Sequence, residues 1–436
     1  MTQHFRVPYG KSFIEFELPR SMQGTLVDSQ PLESEKDPKA AIQKSLEAPL
    51  GIPRVRNLAR PGHRVCIVFT DITRSSPDHL LVPALLEELD RCGIPDEDIT
   101  LLCGIGMHRP STREEKKIIL SNSIVKRYRV IDNEPQNSAA LVELGITSSG
   151  VPLVVHSAAI DADLVITTGI VEPHQYAGYS GGYKTLAIGA AGEAMIEHTH
   201  SPQFIDHPGT RLGKIEGNPF QEALSEAGRR AGLSFIINVV MDSQKRILRV
   251  AAGAPEQVFK ELVAFARSVY EVHITQQYDI AIGGVGYPKD SNLYQASRAP
   301  TYLFFAPTPV VKPGGVFIIP ARCEEGAGSG VGEQRFLKSL RDAPDVEHIL
   351  HEARRNGYPP GQQRAFVLAK VLEKNKIVVV GSEHPELVSE CKMIPAATME
   401  QALAIAEHSL GKSCQVLIVP HATQTLPVIQ PASYQT

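Results

Sequence analysis

Short apolar runs rich in β-branched residues alternate along the chain with longer segments whose apolar positions recur at helical spacing. The runs are apolar almost throughout, which is typical of strands covered on both faces by helices. This alternation predicts an α/β protein with doubly wound, mostly parallel sheets. The eight predicted strands span residues 63–70, 98–106, 163–171, 234–241, 278–286, 315–320, 376–381 and 415–420.

Helix start signals stand in front of several amphipathic segments. Ser76 and Asn218 each precede a proline and a stretch of helical periodicity, and Thr398 opens a third such stretch. These side chains accept hydrogen bonds from the first helical N–H groups, and proline suits the first helical position. The sequence therefore predicts helices that begin just after these three residues.

The length of the chain predicts two domains. Domains usually contain about 100–200 residues, so 436 residues are too many for one compact core. A break falls near residue 270, between an amphipathic segment and a strand-like run. We predict two Rossmann-like domains: an N-terminal cofactor-binding domain at 1–270, which residues 411–436 rejoin, and a C-terminal domain at 271–410. The active site is expected in the cleft between them.

Composition narrows the class of partner. A net charge of −4 argues against nucleic acid or an anionic membrane as the main partner, because both require clustered Lys and Arg. Six scattered cysteines without a C-x-x-C pair fit a reducing compartment. No signal-peptide pattern is visible, and no apolar run approaches the ~20 residues that span a bilayer. The sequence therefore indicates a cytoplasmic protein that acts on a small molecule.

Four polar stretches each follow a predicted strand. They are T-D-I-T-R at 70–74, G-M-H-R-P at 106–110, E-P-H-Q-Y-A-G-Y-S-G-G-Y-K at 172–184 and G-Y-P-K-D-S-N-L-Y-Q at 286–295. In open parallel sheets, ligands bind at the carboxyl ends of the strands. Each stretch alone is weak evidence, since an isolated Asp is more often a helix cap. Together they predict one shared site.

The stretch at 172–184 is the most specific of the four. Its glycines leave backbone N–H groups accessible, and a flexible turn of this kind can hold a phosphate. It matches neither the G-x-x-x-x-G-K-[ST] nor the G-x-G-x-x-G pattern, which disfavours a nucleoside triphosphate or NAD. Lys184 at its end can pair with a phosphate or attach a cofactor covalently.

Histidines supply the remaining candidate chemistry. His108 and His174 lie in two of the four stretches, and an imidazole accepts and releases protons near neutrality. A further pair, His198 and His200, forms an H-x-H pattern that is common at metal sites. Because no Cys or carboxylate cluster stands nearby, a metal at this place would need ligands other than side chains.

The four stretches together with the H-x-H pair resemble the nickel-pincer-dependent lactate racemase family, over most of the chain. The resemblance implies an isomerase with a nickel-pincer nucleotide, a pyridinium-3-thioamide-5-thiocarboxylic acid mononucleotide that carries nickel. It also implies cofactor-biosynthesis enzymes as partners during maturation. The nucleotide would be joined covalently to Lys184, and His200 would be the nickel ligand from the protein. The remaining cofactor contacts implied are Gly178, Ser180 and Gly182, and Asp71 would hold the cofactor or orient a neighbour.

The resemblance also implies a mechanism. His108 and His174 would be the two general acid/base groups, and Arg74 would bind the substrate carboxylate. A hydride would leave C2 of a 2-hydroxy carboxylic acid and return to the opposite face of a 2-keto acid intermediate. A racemase or epimerase of 2-hydroxy acids is therefore the predicted function. The other substrate-binding residues implied are Tyr294, Gln295 and Arg298.

Two departures from lactate-type members concern the substrate side of the site. Those members have a lysine at the position of Arg298 and a tryptophan against the cofactor, whereas this chain has no Trp. We expect Gln362 or Gln363 in the tryptophan's region. Both departures affect the choice of substrate more than the reaction class, so lactate, other short aliphatic acids, malate-like diacids and sugar acids stay open.

Three other functions compete with racemisation. An NAD-dependent 2-hydroxy acid dehydrogenase would share the substrate class, although the chain lacks G-x-G-x-x-G. A pyridoxal phosphate racemase could use Lys184 as its Schiff base. A non-catalytic sugar-acid-binding homologue would keep the fold without the cofactor.

Overall fold

The computed structural model describes residues 3–29, 32–359 and 361–430. Short 3₁₀ turns cover Ile72–Arg74, Asp96–Asp98, Ser138–Ala140 and Lys289–Ser291, and a π-helical turn covers Thr185–Gly189. The strands are β1 (Gln3–Tyr9), β2 (Ser12–Leu18), β3 (Gln23–Leu26), β4 (Val65–Thr70), β5 (Ile99–Gly104), β6 (Arg129–Asp132), β7 (Leu141–Ile146), β8 (Pro152–His156), β9 (Leu164–Ile170), β10 (Pro173–His174), β11 (Gly178–Tyr179), β12 (Leu233–Met241), β13 (Ile247–Gly253), β14 (Glu271–Ile274), β15 (Tyr278–Gly283), β16 (Val311–Pro320), β17 (Lys376–Val380), β18 (Ile394–Ala396), β19 (Gln415–Val419) and β20 (Leu426–Ile429). The helices are α1 (Pro38–Glu47), α2 (Val55–Leu58), α3 (Asp78–Asp90), α4 (Arg113–Leu120), α5 (Asn122–Arg127), α6 (Ser157–Ile160), α7 (Glu193–Thr199), α8 (Pro202–Asp206), α9 (Pro219–Arg230), α10 (Pro255–Tyr270), α11 (Leu293–Ala296), α12 (Arg298–Phe304), α13 (Val331–Asp342), α14 (Val346–Asn356), α15 (Gln363–Lys374), α16 (Pro385–Glu390) and α17 (Met399–Leu410).

The first large sheet is built from the N-terminal half of the chain. Its strand order is β13-β12-β9-β4-β5-β6, and every neighbouring pair is parallel except β12 with β13. Strand β9 is buried along its whole length, as its unbroken apolar run predicted. Apolar clusters lie on both faces of this sheet, so helices cover it from two sides.

The second large sheet has the order β18-β17-β16-β15-β19-β3, and all of its pairs are parallel. All eight predicted strands are therefore confirmed, each within a few residues of its expected bounds. Strand β19 lies between β15 and β3 in this sheet, whereas the sequence led us to expect that residues 411–436 rejoin the first domain. In this position the apolar strand β19 has a neighbouring strand on each side. The domain boundaries themselves stay a prediction.

The expected helix starts occur close to the predicted positions. Asn218 accepts hydrogen bonds from the Phe220 and Gln221 N–H groups and caps α9. Thr398 caps α17 through the Gln401 N–H. Helix α3 begins at Asp78, one residue later than its Ser-Pro signal suggests. Within the described ranges, no helix has the length and apolar character needed to cross a membrane.

Parallel strands bring three of the polar stretches to one edge of the first sheet. Strands β4, β5 and β9 are neighbours, and the stretches that follow them begin at their carboxyl ends. The π-helical turn packs directly on the end of β5, where a Cβ at Gly104 would stand 3.1 Å from Gly189 Cα. This close approach places the segment after β9 beside the segment after β5.

Candidate active site

The turn after β4 is held by a buried carboxylate. Asp78, which is 1% exposed, accepts hydrogen bonds from the Thr70 backbone N–H (3.2 Å) and hydroxyl (2.8 Å). Asp71 caps the following turn by accepting from the Thr73 N–H (3.2 Å) and hydroxyl (2.6 Å). Arg74 ends that turn and is exposed. The strand end therefore presents a fixed carboxylate with a guanidinium group nearby.

His108, in the stretch after β5, pairs with this carboxylate. Its Nδ1 lies 2.5 Å from Asp71 Oδ2, and its side chain is 46% exposed. Burial raises the pKa of Asp71, but hydrogen bonds from His108 and Thr73 and the charges of His108 and Arg74 lower that pKa overall. Because a carboxylate accepts, Nδ1 carries a proton and Nε2 keeps its lone pair. His108 therefore offers a proton acceptor to the space in front of the strands.

His174 is held in a different way, in the short hairpin of β10 and β11. Its Nδ1 accepts hydrogen bonds from the backbone N–H groups of Tyr176 (3.3 Å) and Ala177 (3.1 Å). A neutral ring therefore carries its proton on Nε2. Burial lowers the pKa of His174 well below its usual value, and the charges of Lys184 and Arg74 lower it further. His174 is a neutral hydrogen-bond donor in this arrangement.

Lys184 follows the glycine-rich hairpin and immediately precedes the π-helical turn. Burial lowers its pKa to about 7; the charge of Arg74 lowers it further, while Glu172 and Asp71 act in the opposite direction. A lysine amine with this pKa is neutral in a large fraction of molecules near pH 7, and a neutral amine is a nucleophile. Lys184 is therefore suited to covalent attachment.

His200 lies at the C-terminal end of α7. Its Nδ1 is 2.9 Å from the Ile196 carbonyl oxygen, to which it donates, so Nε2 retains its lone pair. Burial lowers the pKa of His200 to about 4, and the charges of Lys184 and Arg74 contribute to the shift. A neutral imidazole whose other nitrogen is bound to a carbonyl is the usual form of a metal-binding histidine.

Two aromatic rings connect the imidazoles of this site. Tyr176 lies edge-on to His174 and to His200, with ring centroids 5.8 Å and 5.5 Å apart. Phe220, at the start of α9, contacts the same two imidazoles at 6.4 Å and 5.1 Å. His174 and His200 therefore both pack against the rings of Tyr176 and Phe220.

The glycines of the hairpin are explained by packing within the protein. Gly178 and Gly182 have φ values of +76° and +58°, and a Cβ at these positions would stand 2.0 Å from the Lys214 carbonyl oxygen and 2.9 Å from the Phe259 ring. The Ser180 hydroxyl donates to the last carbonyl of β9 at 2.7 Å. These polar and backbone groups stabilise the hairpin, and their expected contacts with a nucleotide stay a prediction.

The second sheet contributes the far side of the site. Asn292 caps the short helix α11, which carries Tyr294 and Gln295. Arg298 begins α12, and its Nε donates to Gln295 Oε1 at 2.7 Å. The charge of Arg298 also contributes to the low pKa of His174, after burial and the charges of Lys184, Arg74 and His200.

Three buried or half-buried residues of this region were missed in the sequence. Arg364, in α15, is 4% exposed and donates from Nη1 to Gln175 Oε1 at 3.0 Å. The Tyr358 hydroxyl donates to the His200 carbonyl at 2.8 Å. An aromatic residue, Tyr358, is therefore in contact with the backbone of His200, and neither Gln362 nor Gln363 makes this contact. The hydrogen bond between Arg364 and Gln175 joins residues 189 positions apart, so no local sequence pattern predicts it.

Most of the predicted site residues are therefore brought together. In the described part of the chain no group of three or more His, Cys, Asp or Glu side chains could hold a metal ion. The catalytic and binding roles stay predictions. The residues connected by the contacts and charges above are Asp71, Arg74, His108, His174, Lys184, His200, Tyr294, Gln295 and Arg298.

Comparison with known proteins gives two family matches. Residues 9–213 match the model "Lactate racemase N-terminal domain", and residues 274–426 match the model "Lactate racemase C-terminal domain". A lactate racemase of Thermoanaerobacterium thermosaccharolyticum is 31% identical over 429 residues, covering 97% of this chain and 99% of that protein. A lactate racemase of Lactiplantibacillus plantarum is 32% identical over 421 residues, covering 95% and 97%.

Solved structures agree with the sequence matches. The lactate racemase apoprotein of T. thermosaccharolyticum superimposes with a TM-score of 0.86 at 28% identity, covering 98% of this chain and all of that one. A Thermotoga maritima protein superimposes with a TM-score of 0.64 at 17% identity, covering 90% and 97%, which shows a shared fold only.

Proposed function

The chain belongs to the lactate racemase family, a family of isomerases, and on that premise we propose that it inverts C2 of a 2-hydroxy carboxylic acid. The observation that carries the proposal is the meeting of one acceptor imidazole, one donor imidazole, one exposed arginine and one buried lysine at the ends of β4, β5 and β9. These are the groups that proton transfer, carboxylate binding and cofactor attachment require.

The cofactor that the family implies is a nickel-pincer nucleotide, and two residues fit it well. Lys184 is a half-buried amine in a polar site, suited to an amide-type bond that removes its charge. His200 presents the Nε2 lone pair, because Nδ1 is bound to the Ile196 carbonyl. A metal with one imidazole from the protein requires its other ligands from the nucleotide, and the donor set of the described residues agrees with this requirement.

We propose the following roles for the chain's own residues. Arg74 binds the C1 carboxylate, since a planar guanidinium group can hold a carboxylate through two parallel hydrogen bonds. His108 removes the hydroxyl proton at Nε2, while Asp71 holds its ring and stabilises the imidazolium that forms. The nucleotide, when bound, would supply the acceptor for the C2 hydrogen and its electron pair.

Inversion requires the resulting flat 2-keto acid to turn about its carboxylate. The C2 oxygen then leaves His108 and approaches His174, whose Nε2–H donates a hydrogen bond to it. Inversion would be complete once the C2 hydrogen had been returned to the opposite face and the proton held by His108 had been given back to the oxygen. Serving both enantiomers therefore needs a group on each side of the turning oxygen, which is the arrangement proposed for His108 and His174.

The test uses chain produced together with the cofactor-biosynthesis enzymes. Separate D- and L-2-hydroxy acids are supplied, and chiral chromatography measures the opposite enantiomer. We expect racemisation of at least one acid, one nickel per chain, and added mass on the Lys184 peptide. Lys184→Ala should remove all three. A chain that instead reduces a 2-keto acid with NADH, without nickel, would overturn the proposal in favour of a dehydrogenase.

A further inference from the structure

Resting on the proposed function, we propose that the substrate is a 2-hydroxy dicarboxylic acid, whose second carboxylate is bound by Arg298 and Gln175. This chemistry is that of malate and its close homologues. The proposal names the substrate class that the family resemblance leaves open, and it rests on donor groups that face the site without an anionic partner.

The first of these groups is a buried arginine without a carboxylate. Arg364 is 4% exposed, and its three guanidinium nitrogens donate to Ser297 Oγ (3.2 Å), Gln175 Oε1 (3.0 Å) and Thr301 Oγ1 (3.1 Å). All three acceptors are neutral. In the described ranges no carboxylate lies within salt-bridge distance of Arg364, whereas a buried charge normally has an ionic partner.

Arg298 adds a second positive charge in the same region. It is half-buried, its Nε is occupied by Gln295, and Tyr302 hydrogen-bonds to it. Like Arg364, it has no salt bridge in the described part of the chain. Burial lowers the pKa of Arg364, and the charge of Arg298 lowers it further, so the two guanidinium groups are close enough to repel each other. A carboxylate of the substrate placed beside them would relieve that repulsion.

Gln175 supplies a donor that has no partner. It is 4% exposed, and its Oε1 already accepts from Arg364. Its Nε2 is buried and makes no hydrogen bond to the described residues. Since buried amide donors are almost always paired, this atom is suited to an acceptor oxygen that arrives with the ligand. The orientation is fixed because Arg364 holds the amide oxygen.

Hydrogen bonds connect these cations to the hairpin that carries His174. Arg364 donates from Nη1 to Gln175, the residue after His174, and from Nε to Ser297, the residue before Arg298. The charge of Arg298 also acts on His174. The two cations therefore lie on the acid/base side of the site.

The charge balance favours a dicarboxylate over a monocarboxylate. Attachment of the cofactor would remove the charge of Lys184, and the C1 carboxylate would neutralise Arg74. Because the nucleotide phosphate is expected at the glycine-rich stretch 172–184, Arg298 and Arg364 would still lack a counter-ion if the substrate were lactate, whose methyl group offers nothing to a guanidinium group. A second carboxylate supplies the missing charge, and it can accept hydrogen bonds from Arg298 and Gln175 together.

The experiment compares malate with lactate in two assays. With cofactor-loaded chain, we expect kcat/KM for racemisation of malate to exceed that of lactate by about 10²-fold, and Arg298→Met to remove that preference by lowering the malate value alone. Arg298→Lys should keep part of it. The control is Arg127→Met, an exposed arginine paired with Asp96 far from the site, which should leave both substrates unchanged. With apoprotein, calorimetry should detect malate binding that Arg298→Met weakens.

Each other result has a distinct meaning. If Arg298→Met lowers both substrates equally, Arg298 binds the C1 carboxylate and the dicarboxylate proposal is wrong, while the racemase proposal stands. If the variant loses nickel and added mass, Arg298 serves the nucleotide phosphate, and the dicarboxylate proposal is again overturned. If no 2-hydroxy acid is racemised by loaded chain, the racemase proposal fails, and the calorimetric result alone decides whether malate is bound at Arg298.

Discussion

The two histidines proposed for proton transfer are held in opposite ways. On one side, His108 Nδ1 is hydrogen-bonded to the carboxylate of Asp71, and Nε2 presents a lone pair. On the other, His174 receives two backbone N–H bonds at Nδ1 and presents a proton. We call the first the ionic side of the site, comprising Asp71, Arg74 and His108. We call the second the neutral side, comprising His174, Lys184 and His200, where burial lowers every pKa.

The difference means that a reaction which treats both enantiomers alike relies on two histidines with different hydrogen-bond partners. Racemisation treats both enantiomers alike, yet only His108 has an anion to stabilise its protonated ring. For His174 to receive a proton, it must give up its backbone hydrogen bonds or exchange the proton between its two nitrogens. We therefore infer that proton removal is easier at His108, and that the step at His174 includes a rearrangement of the ring.

Replacement of His108 should have the largest effect. Of the two proposed acid/base imidazoles, His108→Ala removes the one that is paired with a carboxylate, and general acid–base groups contribute about 10²–10⁴-fold. His108→Gln should lose as much, because an amide cannot accept the proton in its place. Rates of D-to-L and L-to-D conversion by loaded chain measure the effect. Near-normal rates in either variant would show that the ionic side is not the base.

Asp71→Asn should come next, with intact nickel loading and a loss on the order of 10²-fold, the lower end of what general acid–base groups contribute. The amide retains the shape of the carboxylate but cannot stabilise an imidazolium, and it can hold the ring in the wrong tautomer. Thr73→Ala is the matched control, since it removes a hydrogen bond to Asp71 without changing the charge beside His108. Equal losses in the two variants would mean that Asp71 acts by shaping the turn.

The sequence predicted the site well where position follows from strand order. The apolar runs identified β4, β5 and β9, and parallel strands bring their carboxyl ends together. The proximity of His108 to Asp71 could therefore be predicted from the sequence. The pairing of β3 with β19 was not, because it joins residues almost 400 positions apart and neither run carries a signal for the other. The backbone bonds to His174 depend on the exact path of its turn, which no residue pattern encodes.

The role of His174 on the neutral side can be tested by replacing it with glutamine, a hydrogen-bond donor that cannot become charged. His174→Gln retains an N–H where the ring presents Nε2–H, whereas His174→Ala does not. Because a hydrogen bond to a developing negative charge contributes about 1.5–3 kcal/mol, the glutamine variant should be at least about tenfold faster than the alanine variant. Circular dichroism checks that both variants fold. Identical rates would indicate that full proton transfer, and not hydrogen bonding, is what His174 supplies.

The smallest expected effect concerns the stability of the chain without cofactor. Below pH 7 the Lys184 amine is charged in both the folded and the unfolded chain, so the folded chain bears the whole cost of burying that charge. The cost falls as pH rises and vanishes above about pH 10.5, where both states are neutral. Lys184→Met should therefore raise the free energy of unfolding by roughly 1 kcal/mol at pH 6 and leave it unchanged at high pH. Lys260→Met, on the exposed face of α10, should change neither value. A Lys184→Met chain that is less stable at pH 6 would mean that the lysine has an ionic partner. The neutral side would then contain a charge pair, as the ionic side does.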